Sequence, residues 1–447
     1  MNRRTFLASL AAAPLARGLA NAADKPNIVL LFGDDLGITD IGCYGGTEIP
    51  TPHIDSIARN GVRFTAGYVS CPYCSPTRAG LMTGRYQTHF GHEFNPGPAE
   101  AAVENFGLPL TETAMAQRLK DLGYRTGIFG KWHLGYHEAK RPQRRGFDEF
   151  YGFLGGAHSY LNAQADAANR IYDGDKVVDS VEYTTDEFAR RAAGFIEANK
   201  DRPFFAYVPF NAVHGPLEAL QKYQDRFKNI ADPRRRTYAA MLSALDDGVG
   251  LILQTLERHK LTGNTLVVFL TDNGGPTQVN TSRNDPLHGV KAQVWEGGIR
   301  VPFAMQWPGR IPAGGVYEHP VIALDLLPTF AAAAGGKPTA AWKVDGVDLV
   351  PYVAGKNKGA PHERLYWRFG RQFAVREGEW KLMSMGTGAA QLFHLRSDVG
   401  EAKDLASAEP ARAKKMQAAW DAWNRKNIAA AWTPAERGGK KNKKRKA

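Results

Sequence analysis

Two pairs of oxygen-bearing side chains, Asp34-Asp35 and Asp272-Asn273, each follow directly on a short apolar run. Oxygen ligands delivered from two such ends suit a hard divalent cation, and no cluster of His or Cys accompanies them as zinc would require. Taken singly, each pair has a plainer use: Asp-Asp after a strand caps a helix, and Asp-Asn-Gly makes a turn. Asp246-Asp247 is a further pair, but it falls inside a helical pattern and is expected to face solvent. Other apolar runs end in cationic or imidazole groups, Lys131 and His133 after one and His214 after another, with Lys291 further along.

Cys74 supplies a sulfur among these groups. Cys71-Pro72-Tyr73-Cys74 has the spacing of a redox dithiol, and a lone cysteine is often simply buried. Pro76, Arg78 and nearby glycines instead surround it with residues of a turn and a helix start. A dithiol oxidoreductase would also leave the acidic and basic run ends unexplained.

The elements that must position these groups follow from periodicity. Residues 27–32, 124–130, 203–210 and 265–270 are apolar runs of strand length, as expected for strands buried on both faces of a largely parallel sheet. Residues 110–122 and 238–256 carry apolar positions at helical spacing. Strands alternating with helices predict an α/β layer fold, in which ligands sit beyond the carboxyl ends of the strands. Carboxylate, ammonium, imidazole and amide groups from four runs are thereby directed to one edge. From about residue 344 the texture changes. Residues 365–368, 373–376, 380–383 and 391–395 read as short antiparallel strands, and 411–427 as a closing helix, a small C-terminal α+β domain. We expect a large domain over 23–350, the small one over 351–432 and a basic tail over 433–447.

The formal charge of +12 resides mostly at the ends: residues 438–447 carry six cations, the first 22 residues three, and the body is left near +3. That balance gives no nucleic-acid footprint on the body, while the tail could hold an anionic polymer or merely aid solubility. Arg3-Arg4, the apolar stretch 6–15 and Ala20-Asn21-Ala22 read as a twin-arginine secretory signal over 1–22, placing the mature protein in the periplasm or outside the cell. The stretch is too short, and broken by Pro14, to span a membrane. Cys43 and Cys71 could pair in such a compartment; the sequence does not say whether they meet.

Cys74-Ser75-Pro76-Thr77-Arg78, followed by Thr83-Gly84-Arg85, resembles the signature of the type I sulfatases, with Thr77 where serine is usual. Gly130-Lys131-Trp132-His133, Val213-His214-Gly215-Pro216 and Glu296-Gly297-Gly298-Ile299-Arg300 are similar to further segments of that family, and fainter likeness extends through Arg376–Lys381 to Glu401. The resemblance implies an alkaline-phosphatase-like α/β domain with a smaller antiparallel-sheet domain. It also implies that a maturation enzyme converts Cys74 to formylglycine. One calcium ion would be held by Asp34, Asp35, Asp272, Asn273 and the modified Cys74. Arg78 and Lys131 would hold the nucleophile, Lys131 and Lys291 the sulfate, His214 would protonate the leaving oxygen, and His133 would act as base. The implied substrate is an aryl sulfate or sulfated carbohydrate; which sugar, and the oligomeric state, are not legible. Two rival functions are a phosphate or phosphonate ester hydrolase of the same superfamily and a non-catalytic binder of sulfated glycans. His89, His92, Glu93 and Asn95, just past the cysteine motif, are candidates for the substrate rim or plain loop polarity.

Overall fold

The computed structural model describes residues 25–97 and 105–433, so the twin-arginine reading and the basic tail lie outside the described residues. A ten-stranded sheet forms the centre, in the order Gly315–Tyr317, Val62–Phe64, Phe303–Gln306, Thr265–Thr271, Asn27–Gly33, Phe204–Pro209, Arg125–Lys131, Glu149–Phe153, Tyr172–Asp173, Lys176–Val177. The five strands from Thr265–Thr271 to Glu149–Phe153 run parallel, so their carboxyl ends share one edge. Antiparallel pairing is confined to the flanks, at Phe303–Gln306 and Tyr172–Asp173.

The near-continuous apolar runs have a simple cause. Along the strand Asn27–Gly33, Val29 and Leu31 enter one core while Ile28, Leu30 and Phe32 enter the other, the period-two alternation of a sheet covered on both sides. Helices Thr184–Ala198 and Pro233–Arg258 cover the first face through residues such as Phe188, Ala192, Tyr238 and Leu242. Met115–Asp121, Leu326–Ala333 and the apolar side of Cys74–Thr83 cover the second. Pro233–Arg258 is long and apolar enough to cross a membrane, yet its apolar residues are packed in the core.

Two expected elements are shortened. The helix read over 110–122 begins only at Met115, after a turn at Leu110 and Thr111, and Leu110 is exposed. The closing helix is Pro410–Asn424. The Asp246 expectation is overturned. This residue is 2% exposed and accepts the backbone N–H groups of His53 (3.2 Å) and Ile54 (2.8 Å), at the start of helix Pro52–Arg59. Helix periodicity alone did not distinguish a solvent face from one turned toward another helix's open amides. Asp247 is paired with Arg226.

Strands Arg364–Phe369, Gln372–Glu377, Trp380–Ser384 and Gln391–His394 form a separate antiparallel sheet in sequence order. It docks on the large sheet's assembly through a shared core containing Tyr68, Tyr86, Leu324, Trp367, Met383 and Phe393. An ionic cluster is buried in the same junction. Lys381 Nζ lies 3.0 Å from Glu296 and 2.7 Å from Glu401, and Glu401 accepts the Glu296 backbone N–H at 2.7 Å. The fainter C-terminal likenesses around Lys381 and Glu401 thus hold the short helix Glu296–Ile299 in place.

Candidate functional site

Each of the four expected runs is a strand, and each ends at the same edge with its polar residues in place. Backbone bonds fasten the ends together: Asp34 N–H donates to Ala212 O (2.9 Å), and Val213 N–H to Asp34 O (2.7 Å). The turn after Asn273 is fixed from another side. Gly274 N–H donates to Gly298 O at 3.0 Å, and a Cβ on Gly274 would stand 1.7 Å from Gly297 O. Glycine is required there by that backbone approach.

Helix Cys74–Thr83 starts at the pocket and is buried along its whole length. Pro76 occupies its first turn, where no amide donor is needed, and Gly84 ends it at φ +64°. Cys74 Sγ lies 3.9 Å from Asp34 Oδ1. One turn on, the Arg78 guanidinium donates through Nη2 (2.7 Å) and Nε (3.1 Å) to Asp272 Oδ2 and stands 3.5 Å from Asp34. Lys131 Nζ donates to the same Asp34 Oδ2 at 2.5 Å. Lys291 Nζ is 2.6 Å from Asp35 Oδ1, and His214 Nε2 is 3.5 Å from Asp35 Oδ2. His214 Nδ1 faces the Gly215 carbonyl at 2.7 Å. A carbonyl only accepts, so Nδ1 carries hydrogen and Nε2 is left to the pocket.

The ligand atoms of Asp34, Asp35, Cys74 and His214 lie within 4.8 Å of one another. His214 thus enters a cluster that the sequence reading reserved for Asp34, Asp35, Cys74, Asp272 and Asn273. Asp272 stands behind it, with Oδ2 engaged by Arg78 and Oδ1 accepting the Asp35 N–H at 3.3 Å. Asn273 Nδ2 donates to Asp35 Oδ1 at 2.7 Å, while its Oδ1 is buried with no hydrogen-bond partner. An orphaned amide oxygen among three carboxylates is a donor set that fits a hard divalent cation.

The electrostatics agree. Burial and Asp272 push the Asp34 carboxyl up to about 7, even with Lys131 and Arg78 beside it. Burial opposes ionisation of Asp272 too, but Arg78 and both lysines hold it below the usual carboxylate range. Burial also disfavours charge on Lys291, yet Asp35 and the other anionic groups keep it well above the ordinary lysine value. Burial pushes the Cys74 thiol up to about 12 and His214 down to about 4. Burial and the surrounding cations hold His133 well below the ordinary histidine value.

The redox-dithiol reading fails here. Cys43, Cys71 and Cys74 are all free thiols, and burial raises Cys71 as well as Cys74, the reverse of the lowered value a reactive dithiol needs.

Several contributors escaped the sequence reading. His92 is not a rim residue: its Nε2 is 2.7 Å from Ser75 Oγ, which donates to His133 O at 2.6 Å. That brace holds His133 in its left-handed conformation, φ +57°. Asn95 accepts the Ser75 N–H at 3.1 Å, and Glu93 binds Arg368. His89 lies 3.5 Å from Asp345. Gly156 leaves room for the His133 ring, which a Cβ would approach to 2.7 Å. The Tyr160 hydroxyl reaches the carbonyls of Asn211 (2.5 Å) and His214 (2.8 Å). His89, His92, Glu93 and Asn95 stood out in the sequence by their place just past the cysteine motif, whereas of Ser75, Gly156 and Tyr160 only the Gly155-Gly156 pair offered a signal.

A mostly parallel α/β sheet that gathers buried carboxylates, lysines and histidines around one cysteine has the alkaline-phosphatase-like fold, with those groups at the strand ends where such sheets bind their ligands. The chain belongs to the sulfatase family: the pattern described as Sulfatase matches residues 26–336, and that described as N-sulphoglucosamine sulphohydrolase, C-terminal, matches 288–422. It is 33% identical to N-acetylgalactosamine-6-sulfatase of Sus scrofa over 81% of this chain and 72% of that protein. It is 29% identical to arylsulfatase J of Mus musculus over 92% and 78% of the two chains. Among solved structures, Ps i-CgsB superposes with a TM-score of 0.87 at 37% identity, covering 91% of this chain and 94% of that one. The complex of Ps i-CgsB with k-i-k-neocarrahexaose gives the same TM-score at 36% identity, over 92% and 96% of the two chains. This protein is accordingly a sulfuric ester hydrolase, and the non-catalytic reading falls away.

Proposed function

We propose that this sulfatase removes sulfate from a sulfated carbohydrate, with formylglycine at position 74 as nucleophile and one calcium ion in the pocket. The observation that carries the reading is the convergence of Asp34, Asp35, Lys131, His214 and Lys291 around Cys74. The carbohydrate assignment is supported by the relative that acts on N-acetylgalactosamine 6-sulfate and by the oligosaccharide complex of the similar structure. A large domain ending near 350, a small one over 351–432, export through residues 1–22 and action of a maturation enzyme on Cys74 belong to the same reading.

Calcium would be held by Asp34, Asp35, Asn273 and the second oxygen of Asp272, together with the modified residue 74. Bound there, it offsets the charge of the sulfate and favours ionisation of the attacking group. Addition of water to the formylglycine aldehyde would give a gem-diol with one hydroxyl to attack and a second to expel the sulfate, which serine could not do. Arg78 and Lys131 fix that residue from the helix and strand sides. Lys131 and Lys291 present ammonium groups to the sulfate oxygens as charge redistributes. His214 Nε2 gives its proton to the leaving oxygen. Its burial favours the neutral ring, and an anionic ester beside Nε2 favours the imidazolium. His133, held neutral among cations, accepts a proton from the nucleophile's remaining hydroxyl.

His214→Ala should lower turnover of a sugar or alkyl sulfate by about 10²-fold or more, the general-acid range, and affect 4-nitrophenyl sulfate far less. The nitrophenolate leaves without a proton. Equal losses on the two would reject His214 as the acid. Chelation should abolish sulfate release and lower the unfolding midpoint, with both restored by calcium. At 100 times Kd the ion contributes about 2.7 kcal/mol to stability. An unfolding midpoint indifferent to chelator and calcium counts against the site. Matched sulfate and phosphate esters, compared by kcat/KM, separate the sulfatase reading from a phosphate or phosphonate hydrolase.

A further inference from the structure

Tyr73, directly before Cys74, is only partly buried, and Lys291 Nζ lies 5.5 Å from its ring centroid while it also contacts Asp35. From Tyr73 a row of half-buried aromatic rings continues. The Phe369 centroid is 5.3 Å from Tyr73, and Phe94 is 5.4 Å from Phe369. Phe369 ends the strand Arg364–Phe369, at the tip of a hairpin whose turn is Gly370 and the exposed Arg371.

This tip is pinned from two sides. Glu93 accepts from the Arg368 guanidinium (3.2 and 2.8 Å) and from the Gly370 N–H (2.9 Å). Gln372 Nε2 donates to Ala292 O at 2.9 Å, and its Oε1 accepts the Val294 N–H at 3.1 Å, so one amide clamps the chain just after Lys291. Ala292 N–H in turn donates to Pro72 O at 2.8 Å. Three segments are therefore locked around the row: the start of the cysteine helix, the Lys291 loop and the C-terminal hairpin. A hairpin of the small sheet, remote in sequence from Cys74, supplies a ring beside Tyr73, the residue that precedes it.

We infer that Tyr73, Phe369 and Phe94 form a sugar-stacking subsite beside the sulfate pocket, with Phe369 determining preference for saccharide over small sulfate esters. The inference rests on the carbohydrate reading above. Sugar rings present C–H faces that pack flat on aromatic rings through dispersion and loss of wetted apolar area. The row is continuous with the anion site through Lys291, so a ring attached to the bound sulfate has aromatic surface within reach. Arg371 adds positive charge at the tip for a substrate bearing further sulfates. Fixed rings also cost little ordering on binding.

The test compares wild type, Phe369→Ala and Phe369→Tyr on 4-nitrophenyl sulfate and on a panel of sulfated oligosaccharides that includes k-i-k-neocarrahexaose, with released sulfate as readout. For Phe369→Ala the ratio of kcat/KM on the best oligosaccharide to that on 4-nitrophenyl sulfate should fall about tenfold, through KM. Phe369→Tyr should restore the ratio. An unchanged ratio, or equal losses on both substrates, overturns the subsite and leaves the sulfatase reading standing. Wild-type protein that cleaves 4-nitrophenyl sulfate but no oligosaccharide overturns the carbohydrate reading, and the subsite with it.

Discussion

Cys74→Ala should reduce sulfate release by about 10³-fold or more, the scale on which removal of a covalent nucleophile is felt. The side chain is 1% exposed, at the first position of a buried helix, with Asp34 Oδ1 3.9 Å from its sulfur. Burial keeps the thiol protonated at neutral pH, so an unmodified cysteine would be a poor nucleophile in this setting. Oxidation to an aldehyde removes that difficulty, because the attacking oxygen then belongs to its hydrate. The peptide containing residue 74 should therefore weigh about 18 Da less than the cysteine form. An unshifted peptide from fully active protein would sink the formylglycine reading, and near-wild-type turnover by the alanine variant would sink Cys74 as nucleophile. Alanine removes only the ligand at position 74 and leaves Asp34, Asp35, Asp272, Asn273 and the Arg78–Asp272 pair in place, so an inactive variant is expected to fold and to bind calcium, less tightly, through the remaining oxygens.

Cys74 and Arg78 were legible from a motif, whereas the groups legible from patterning alone share one property: they are polar residues ending apolar runs. Asp34, Lys131, His214 and Asp272 were recognisable because a doubly covered parallel sheet makes its strands almost wholly apolar, and the first polar residue then marks the functional edge. Residues that act through tertiary contact left no such mark. Ser75 and His92 meet only when the cysteine helix returns beneath the His133 loop. Phe369 meets Tyr73, and Gln372 the chain after Lys291, only because the small sheet docks through the Trp367 and Phe393 core. Asp246 shows the converse error. Its helix was predicted correctly, but whether a position on it faced water depended on helix Pro52–Arg59, whose amide ends it caps. Which ligand atoms gather most closely was likewise a matter of side-chain direction: Asp272 turns one oxygen to Arg78, and a His214 ring nitrogen stands within 4.8 Å of the Asp34, Asp35 and Cys74 ligand atoms.

That use of Asp272 makes Arg78 the most sensitive structural position in the pocket. Its guanidinium is fully buried, bonded to Asp272 twice, close to Asp34, bonded to the Lys131 carbonyl at 3.3 Å, and 5.1 Å from the Phe32 ring centroid. Arg78→Met would preserve much of the side chain's bulk while leaving Asp272 without its main cationic partner and Asp34 with Lys131 alone. Breaking a buried ion pair on one side costs about 3–5 kcal/mol, because the abandoned charge stays desolvated. Urea unfolding of Arg78→Met, made in the Cys74→Ala background so that maturation is not a variable, should show a loss of that size against Cys74→Ala alone. Calcium in the proposed site would act on the same carboxylates, so saturating calcium should recover more stability in Arg78→Met than in its parent. Arg78→Lys keeps the charge but not the planar fork that spans Asp272 and the Lys131 carbonyl, and should fall between the two. If Arg78→Met unfolds at the same urea concentration as its parent, the carboxylates are not held in check by Arg78 and the balance of charge described for this pocket is wrong.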